Sequence, residues 1–299
     1  MRNGIWRTAV AAASIAIGCG PQGQPVAELE ARPTELELAW PEFVELEVAI
    51  EPSAELPGEL ARPTVFVHLL DEPGSVLRTF DHPYPGDWRV GREQRYRVRL
   101  QQSALAEPLA AGEYLVSMGV YDPEIGRFAL VSTAEEIAGD EYRVATVHVP
   151  ALDGRAPRAR FSEHWLPPEA VGNRQVLVRR TLRGGESGVL QFGPIEGAGT
   201  LALVLLVPSD VGAGSRLELL DGAGQPMVRL LTSCGAGDAE ISGTGRFDVD
   251  LEIPPDASGS CEVRVEPNFR LTTSERTETT SVRLESVSWR PAGRDRPPG

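Results

Sequence analysis

The chain has 299 residues, 41% of them apolar, which is enough for a packed core in one large or two ordinary domains. Its net charge is −14, and none of its 29 basic residues is a lysine. A surface this acidic repels phosphate backbones and anionic headgroups, which excludes a nucleic-acid partner.

The chain opens with two positive charges, Arg2 and Arg7, followed by Thr8–Ile17, an uncharged run of ten residues. Crossing a bilayer takes about 20 apolar residues, so this run is too short to span. A charged start, a short apolar middle and small residues at its end describe a secretory signal peptide over residues 1–18. That end, Ala16-Ile17-Gly18-Cys19, resembles the lipobox of bacterial lipoproteins. The resemblance implies cleavage before Cys19 and acylation of its thiol and new amino terminus. It also implies a membrane partner held through acyl chains; one chain binds reversibly, whereas several anchor stably. Gly20, where an Asp would favour the inner membrane, points by the same resemblance to the outer membrane of a bacterial cell envelope. The alternative is an ordinary signal peptide with an incidental cysteine. Losing Arg2 and Arg7 with the signal takes the net charge from −14 to −16.

Residues 19–32, rich in Gly, Pro and Gln at their start, read as a flexible tether. Apolar residues then recur at every second position: Leu36, Leu38 and Trp40, and again Val44, Leu46, Val48 and Ile50. Period two is the strand signal. Further strands are expected at 65–71, 95–100, 113–122 and 142–149, separated by Pro-Gly and Ala-Gly pairs. The polar stretch 151–160 reads as a linker. Strand-like segments resume at 175–182, 188–192, 201–207, 216–221, 247–253, 261–266 and 281–289, and 292–299 reads as a disordered tail. The expected fold class is all-β, with two β-sandwich domains at 33–150 and 161–291.

With Cys19 acylated, Cys234 and Cys261 remain. An even remainder in an exported protein points to one disulfide. It would close a loop of about 26 residues and contribute about 3 kcal/mol. The alternative is a pair of buried free thiols.

The segment Val65-Phe66-Val67-His68-Leu69-Leu70-Asp71, followed by Asp81-His82-Pro83, Trp88, Gly91 and Gly112-Glu113-Tyr114, forms a recognisable order. Gly119-Val120-Tyr121-Asp122-Pro123 and Gly126-Arg127 continue it. Over about 85 residues this resembles an immunoglobulin-like module of exported bacterial proteins. Phe161, Trp165, Pro168-Glu169, Phe269, Arg276, Val282 and Val287 resemble a jelly-roll-like sandwich that can follow such modules. Some relatives of that shape bind carbohydrate, so the resemblance implies an envelope glycan as a partner; an envelope protein is the other.

Chemistry-bearing groups are few. His68 shares a strand face with Phe66 and Leu70, and reads as a hydrogen-bonded core histidine or as a general base or ligand. Asp81 and His82 sit in a Pro-rich loop near Trp88, and loops carry function disproportionately; the plainer reading has Asp81 capping its own backbone. Glu163, His164 and Trp165 bring a carboxylate, an imidazole and an indole together, or simply pack a strand end. These six residues, Asp81 to Trp165, form the expected binding surface. No phosphate loop, dinucleotide fingerprint, metalloprotease or calcium-loop pattern occurs, and four scattered histidines have no ligand spacing, so no cofactor, metal or catalytic residue is expected. The expected function is a lipid-anchored, non-catalytic binding or assembly module of the cell envelope. The alternative is an envelope glycan-active enzyme using carboxylates of the second sandwich.

Overall fold

A computed structural model describes residues 24–56, 63–71, 74–171, 177–209, 215–222, 224–273 and 279–293. The signal segment, Cys19 and its acylation lie outside the described residues. Every regular element among the described residues is a strand.

The first half contributes β1 (Ala27–Arg32), β2 (Glu35–Glu37), β3 (Phe43–Pro52), β4 (Thr64–Leu70), β5 (Val76–Thr79), β6 (His82–Pro83), β7 (Gln94–Gln101), β8 (Gly112–Asp122), β9 (Gly126–Phe128), β10 (Leu130–Ser132), β11 (Glu135–Ala138) and β12 (Glu141–Val149). They form a four-stranded sheet, β10-β1-β3-β7, and a larger sheet, β11-β12-β8-β4-β5, with β2, β6 and β9 paired at its margins. Alternation decides what faces inward. Leu46, Val48 and Ile50 from one sheet meet Val65, Val67, Leu69, Val116 and Met118 from the other in a single core. Burying side chains of this size stabilises by about 1.5–3 kcal/mol each.

The second half contributes β13 (Arg158–Phe161), β14 (Glu169–Val171), β15 (Leu177–Arg183), β16 (Gly188–Glu196), β17 (Gly199–Val207), β18 (Ser215–Leu219), β19 (Met227–Thr232), β20 (Ala239–Ser242), β21 (Gly245–Ile253), β22 (Ser258–Pro267), β23 (Phe269–Thr273) and β24 (Thr280–Pro291). One sheet runs β13-β16-β22-β19-β20 and the other β14-β15-β24-β17-β21, with β18 and β23 attached. They enclose their own core around Phe192, Leu203, Val263 and Trp289. A disulfide joins Cys234, in the turn after β19, to the buried Cys261 on β22, with Cα atoms 4.9 Å apart.

Two boundaries read from composition need correction. The tether does not reach residue 32: Ala27–Arg32 is a strand, antiparallel to β3 and parallel to β10, with Ala27 and Leu29 buried. The Gly-Pro-Gln composition ahead of it hid a short apolar-polar alternation. The linker likewise ends before Arg158, because residues 158–161 pair with β16.

Among the described residues, no ladder of a named sheet crosses between the halves, yet a bonded seam joins them. The Trp289 amide donates to the Pro41 carbonyl (2.8 Å) and the Ala104 amide to the Val287 carbonyl (2.7 Å). The Ser103 hydroxyl accepts from the Val287 amide (3.1 Å). Phe43 lies between two guanidinium groups, Arg99 at 4.2 Å and Arg290 at 4.7 Å from its centroid. Arg99 comes from the first half and Arg290 from the second.

Candidate functional site

The chemistry of the first half gathers on the outer face of its larger sheet. In β4, Val65, Val67 and Leu69 point into the core, so Phe66 and His68 point away from it. In β8, Val116, Met118 and Val120 point inward and Ser117, Gly119 and Tyr121 outward. Register places His68 opposite Ser117 and Phe66 opposite Gly119. The missing side chain at Gly119 is a requirement of packing: a Cβ there would collide with the Phe66 ring and the Asp140 carbonyl.

Three further elements complete the site. The β8–β9 hairpin pairs Arg127 with Tyr121 and sets its guanidinium 4.7 Å from the Phe66 centroid. The turn before β12 holds Asp140 at a φ of 57°, a region L-residues adopt sparingly, and delivers Glu141 next to it. The loop after β5 brings in Asp81, whose Oδ1 accepts from the Val67 amide at 3.1 Å.

The result is a line of polar groups. Asp81 Oδ1 stands 3.5 Å from His68 Nε2, and Glu141 Oε1 stands 3.7 Å from His68 Nδ1. Glu141 is buried, and its other oxygen takes an ion pair from Arg127 at 2.9 Å. The Ser117 hydroxyl, fully buried, donates to Glu141 at 2.5 Å. Among the described residues, the buried His68 Nδ1 has no hydrogen-bond partner. A buried polar atom left in this state is costly and marks a place where structure alone does not account for the residue. A cleft of about 390 Å³ opens over this line, walled by Phe66, His68, Asp81, Tyr121, Asp122 and Arg127.

A larger hollow of about 1400 Å³ lies beside β1–β3. Its charged walls pair among themselves, Glu30 with Arg32 and Glu45 with both Arg97 and Arg290. Among the described residues, no buried and unpartnered side-chain atom belongs to its lining, so the smaller cleft is the stronger candidate.

The residues expected from the sequence divide. Asp81 belongs to the cleft while also serving as a backbone acceptor. His82, its neighbour, does not: its Nδ1 lies 2.9 Å from the Phe80 carbonyl and its Nε2 3.0 Å from the Tyr96 hydroxyl. The first contact requires a proton on Nδ1, which leaves Nε2 to accept from Tyr96. Burial pushes the His82 imidazole below its ordinary pKa of 6.5, against the smaller opposing effects of the Phe80 carbonyl and Asp81; Arg246 adds to the lowering. Trp88 is a core residue, packed on Tyr84 at 5.0 Å and donating to the Ala54 carbonyl. Trp165 is a core residue of the second half, edge-on to Phe161. Neither indole offers a platform to a ligand. Glu163 is exposed and His164 half-buried beside it, with Glu186 3.4 Å from His164 Nδ1. Carboxylates of the second half include paired ones: Glu169 with Arg179, Glu218 with Arg270 and Asp250 with Arg99.

Sequence reasoning missed His68, Tyr121, Arg127 and Glu141 as members of one site. A signal was present for three of them. His68, Tyr121 and Arg127 all fall within the segments that carry the immunoglobulin-like resemblance, and those segments converge on this cleft.

No family model and no curated protein matches the sequence. Among solved structures, the chain is similar to the secreted serine protease VesC from Vibrio cholerae, at 14% identity and a TM-score of 0.27. That similarity covers 88% of this chain and 51% of VesC, so the chain spans about half of that protein's length. A β-glucosidase from Listeria innocua shares 19% identity over 42% of this chain and 16% of its own, at a TM-score of 0.26. The tandem CBM22-1–CBM22-2 domain of Paenibacillus barcinonensis Xyn10C shares 12% identity over 84% and 79%, at a TM-score of 0.24. Likenesses of this size assign neither an activity nor a ligand to this chain.

Proposed function

We propose that the chain is a lipid-anchored, non-catalytic binding module of the bacterial cell envelope, built from an immunoglobulin-like and a jelly-roll-like sandwich. The observation that carries the binding reading is the cleft over His68. Its donors and acceptors stand on paired strands and on the loop after β5, open to solvent, whereas the Ser117 hydroxyl beside them is fully buried and committed to Glu141. A buried, engaged hydroxyl favours recognition over nucleophilic chemistry, which needs an accessible attacking group. The anchor rests on Ala16-Ile17-Gly18-Cys19. Only Gly20–Val26 separates Cys19 from β1, at most about 25 Å of extended chain. The module would therefore stand close to its membrane.

The test is fractionation of a bacterial host expressing the full chain, with the mass of the mature amino terminus measured in parallel. Wild type should sediment with membranes and carry acyl mass on Cys19. The Cys19→Ser variant should appear in the soluble fraction. Membrane retention of that variant, or an unmodified Cys19 in wild type, overturns the anchor.

A further inference from the structure

We infer that the cleft over His68 is a binding site for a neutral, hydroxyl-rich ligand, a single sugar ring at the end or side of an envelope glycan. The inference rests on the binding-module reading and specifies the chemistry of its site.

The first argument is charge balance. Arg127 is offset by Glu141 at 2.9 Å, and its Nη1 also donates to the Gly139 carbonyl at 3.2 Å. Asp81 is offset by the Val67 amide and the His68 imidazole. One Asp122 oxygen accepts the amides of Glu124 and Ile125, at 2.8 and 3.0 Å. Each charged group is thus already steadied by the protein. An ion of either sign would meet carboxylates and a guanidinium at one opening, one of which repels it.

The second argument is valence. Each group keeps capacity to spare: the second oxygens of Asp81 and Asp122, and the Arg127 nitrogens beyond Nη1, make no hydrogen bond among the described residues. Acceptors and donors therefore line one opening together. A hydroxyl both donates and accepts, so adjacent hydroxyls can bridge a carboxylate and a guanidinium without bringing charge.

The third argument is shape. The cleft, at about 390 Å³, falls within the range of small-molecule sites, roughly 300–1,000 Å³. Phe66 is roofed by Arg127, but Tyr121, 6.1 Å from Phe66 between centroids, remains partly exposed at the rim. Its ring can take the C–H face of a sugar while the hydroxyl edge reaches Asp81 and His68. The unpartnered His68 Nδ1 lies on the inner side of the imidazole, toward Glu141. A ligand hydroxyl donating to Nε2 would set the tautomer that keeps the proton on Nδ1, facing the Glu141 carboxylate.

The test is saturation-transfer NMR on the full mature chain in detergent micelles. The probes are the methyl glycosides of glucose, mannose, galactose and N-acetylglucosamine, with methylammonium and acetate as charged controls. At least one glycoside should show ring-proton saturation. Its Kd should rise about tenfold or more in Asp81→Asn, which keeps an oxygen for the Val67 amide, and in Tyr121→Ala. Thermal melting of both variants checks that they fold, and the unaltered partner of a variant that does not fold decides the outcome. The inference fails if no glycoside binds, if binding is unchanged in the folded variants, or if a charged control binds in place of the glycosides. Such failure leaves the anchor untouched, because fractionation reads Cys19 alone.

Discussion

Arg99 and Asp250 meet fork to fork, through two hydrogen bonds of 2.8 Å, across 151 residues of sequence and from opposite halves of the chain. Arg99 also stacks on Phe43, so one side chain contributes both an ion pair and a packed face to the seam. The halves have separate sheets and cores but are not joined by the 151–157 segment alone.

Nicking that segment should therefore not release two free fragments. Trypsin should cut after Arg155, which is exposed and precedes β13, and the two pieces should co-elute on gel filtration. Arg99→Ala should weaken the seam by about 1–3 kcal/mol and let the nicked pieces separate. Separation of nicked wild-type fragments at moderate salt would contradict the seam.

Gly119→Ala should be among the costlier single changes on the outer face. The added methyl meets the Phe66 ring on one side and the Asp140 backbone on the other, and only the ring has anywhere to go. A loss of about 1–3 kcal/mol is expected from urea unfolding. The ring displaced into the cleft should weaken ligand binding in the same variant. Unchanged stability would mean that β8 shifts as a whole.

Stability should fall as pH drops below 6.5 in a manner traceable to His82. Burial holds its folded-state pKa below 6.5, so above 6.5 both folded and unfolded states are neutral and its contribution is fully present. Below 6.5 the unfolded chain takes up a proton that the folded chain resists until its own lower value is reached, and that contribution is lost over this window. Wild type should lose urea resistance between pH 7 and pH 5 more steeply than His82→Gln. Parallel curves would remove His82 from the account.

Removing the disulfide with Cys234→Ala and Cys261→Ala together should cost about 2–4 kcal/mol. Because Cys261 sits in the second core and Cys234 at the exit of β19, amides of β19 and β20 should exchange faster while those of the first half keep their protection. A uniform loss across both halves would show that they unfold as one unit.

Much of the fold was legible because alternation is a local property. Leu46, Val48 and Ile50 announce β3 regardless of what pairs with it, and the even Cys234–Cys261 remainder needs only counting. β1 was hidden because Ala27 and Leu29 are too few to stand out beside Gly and Pro, and only the neighbours β3 and β10 make them a strand. The cleft was less legible for a different reason. His68 could be assigned to the face it occupies, but Glu141 becomes its neighbour only through the order β12-β8-β4, which no local pattern encodes. Trp88 and Trp165 looked like a surface because polar residues flank them in sequence; in space the indoles turn inward and the flanking groups stay out.

The placement of β1 decides how the molecule carries load. Its residues 27–32 are laddered to β3, and residues 27–29 also to β10. A pull directed along the axis of β1 strains these rungs sideways, so that they share the force. They are not peeled off one at a time like a zipper. A load applied in that direction at this end meets many hydrogen bonds at once instead of one.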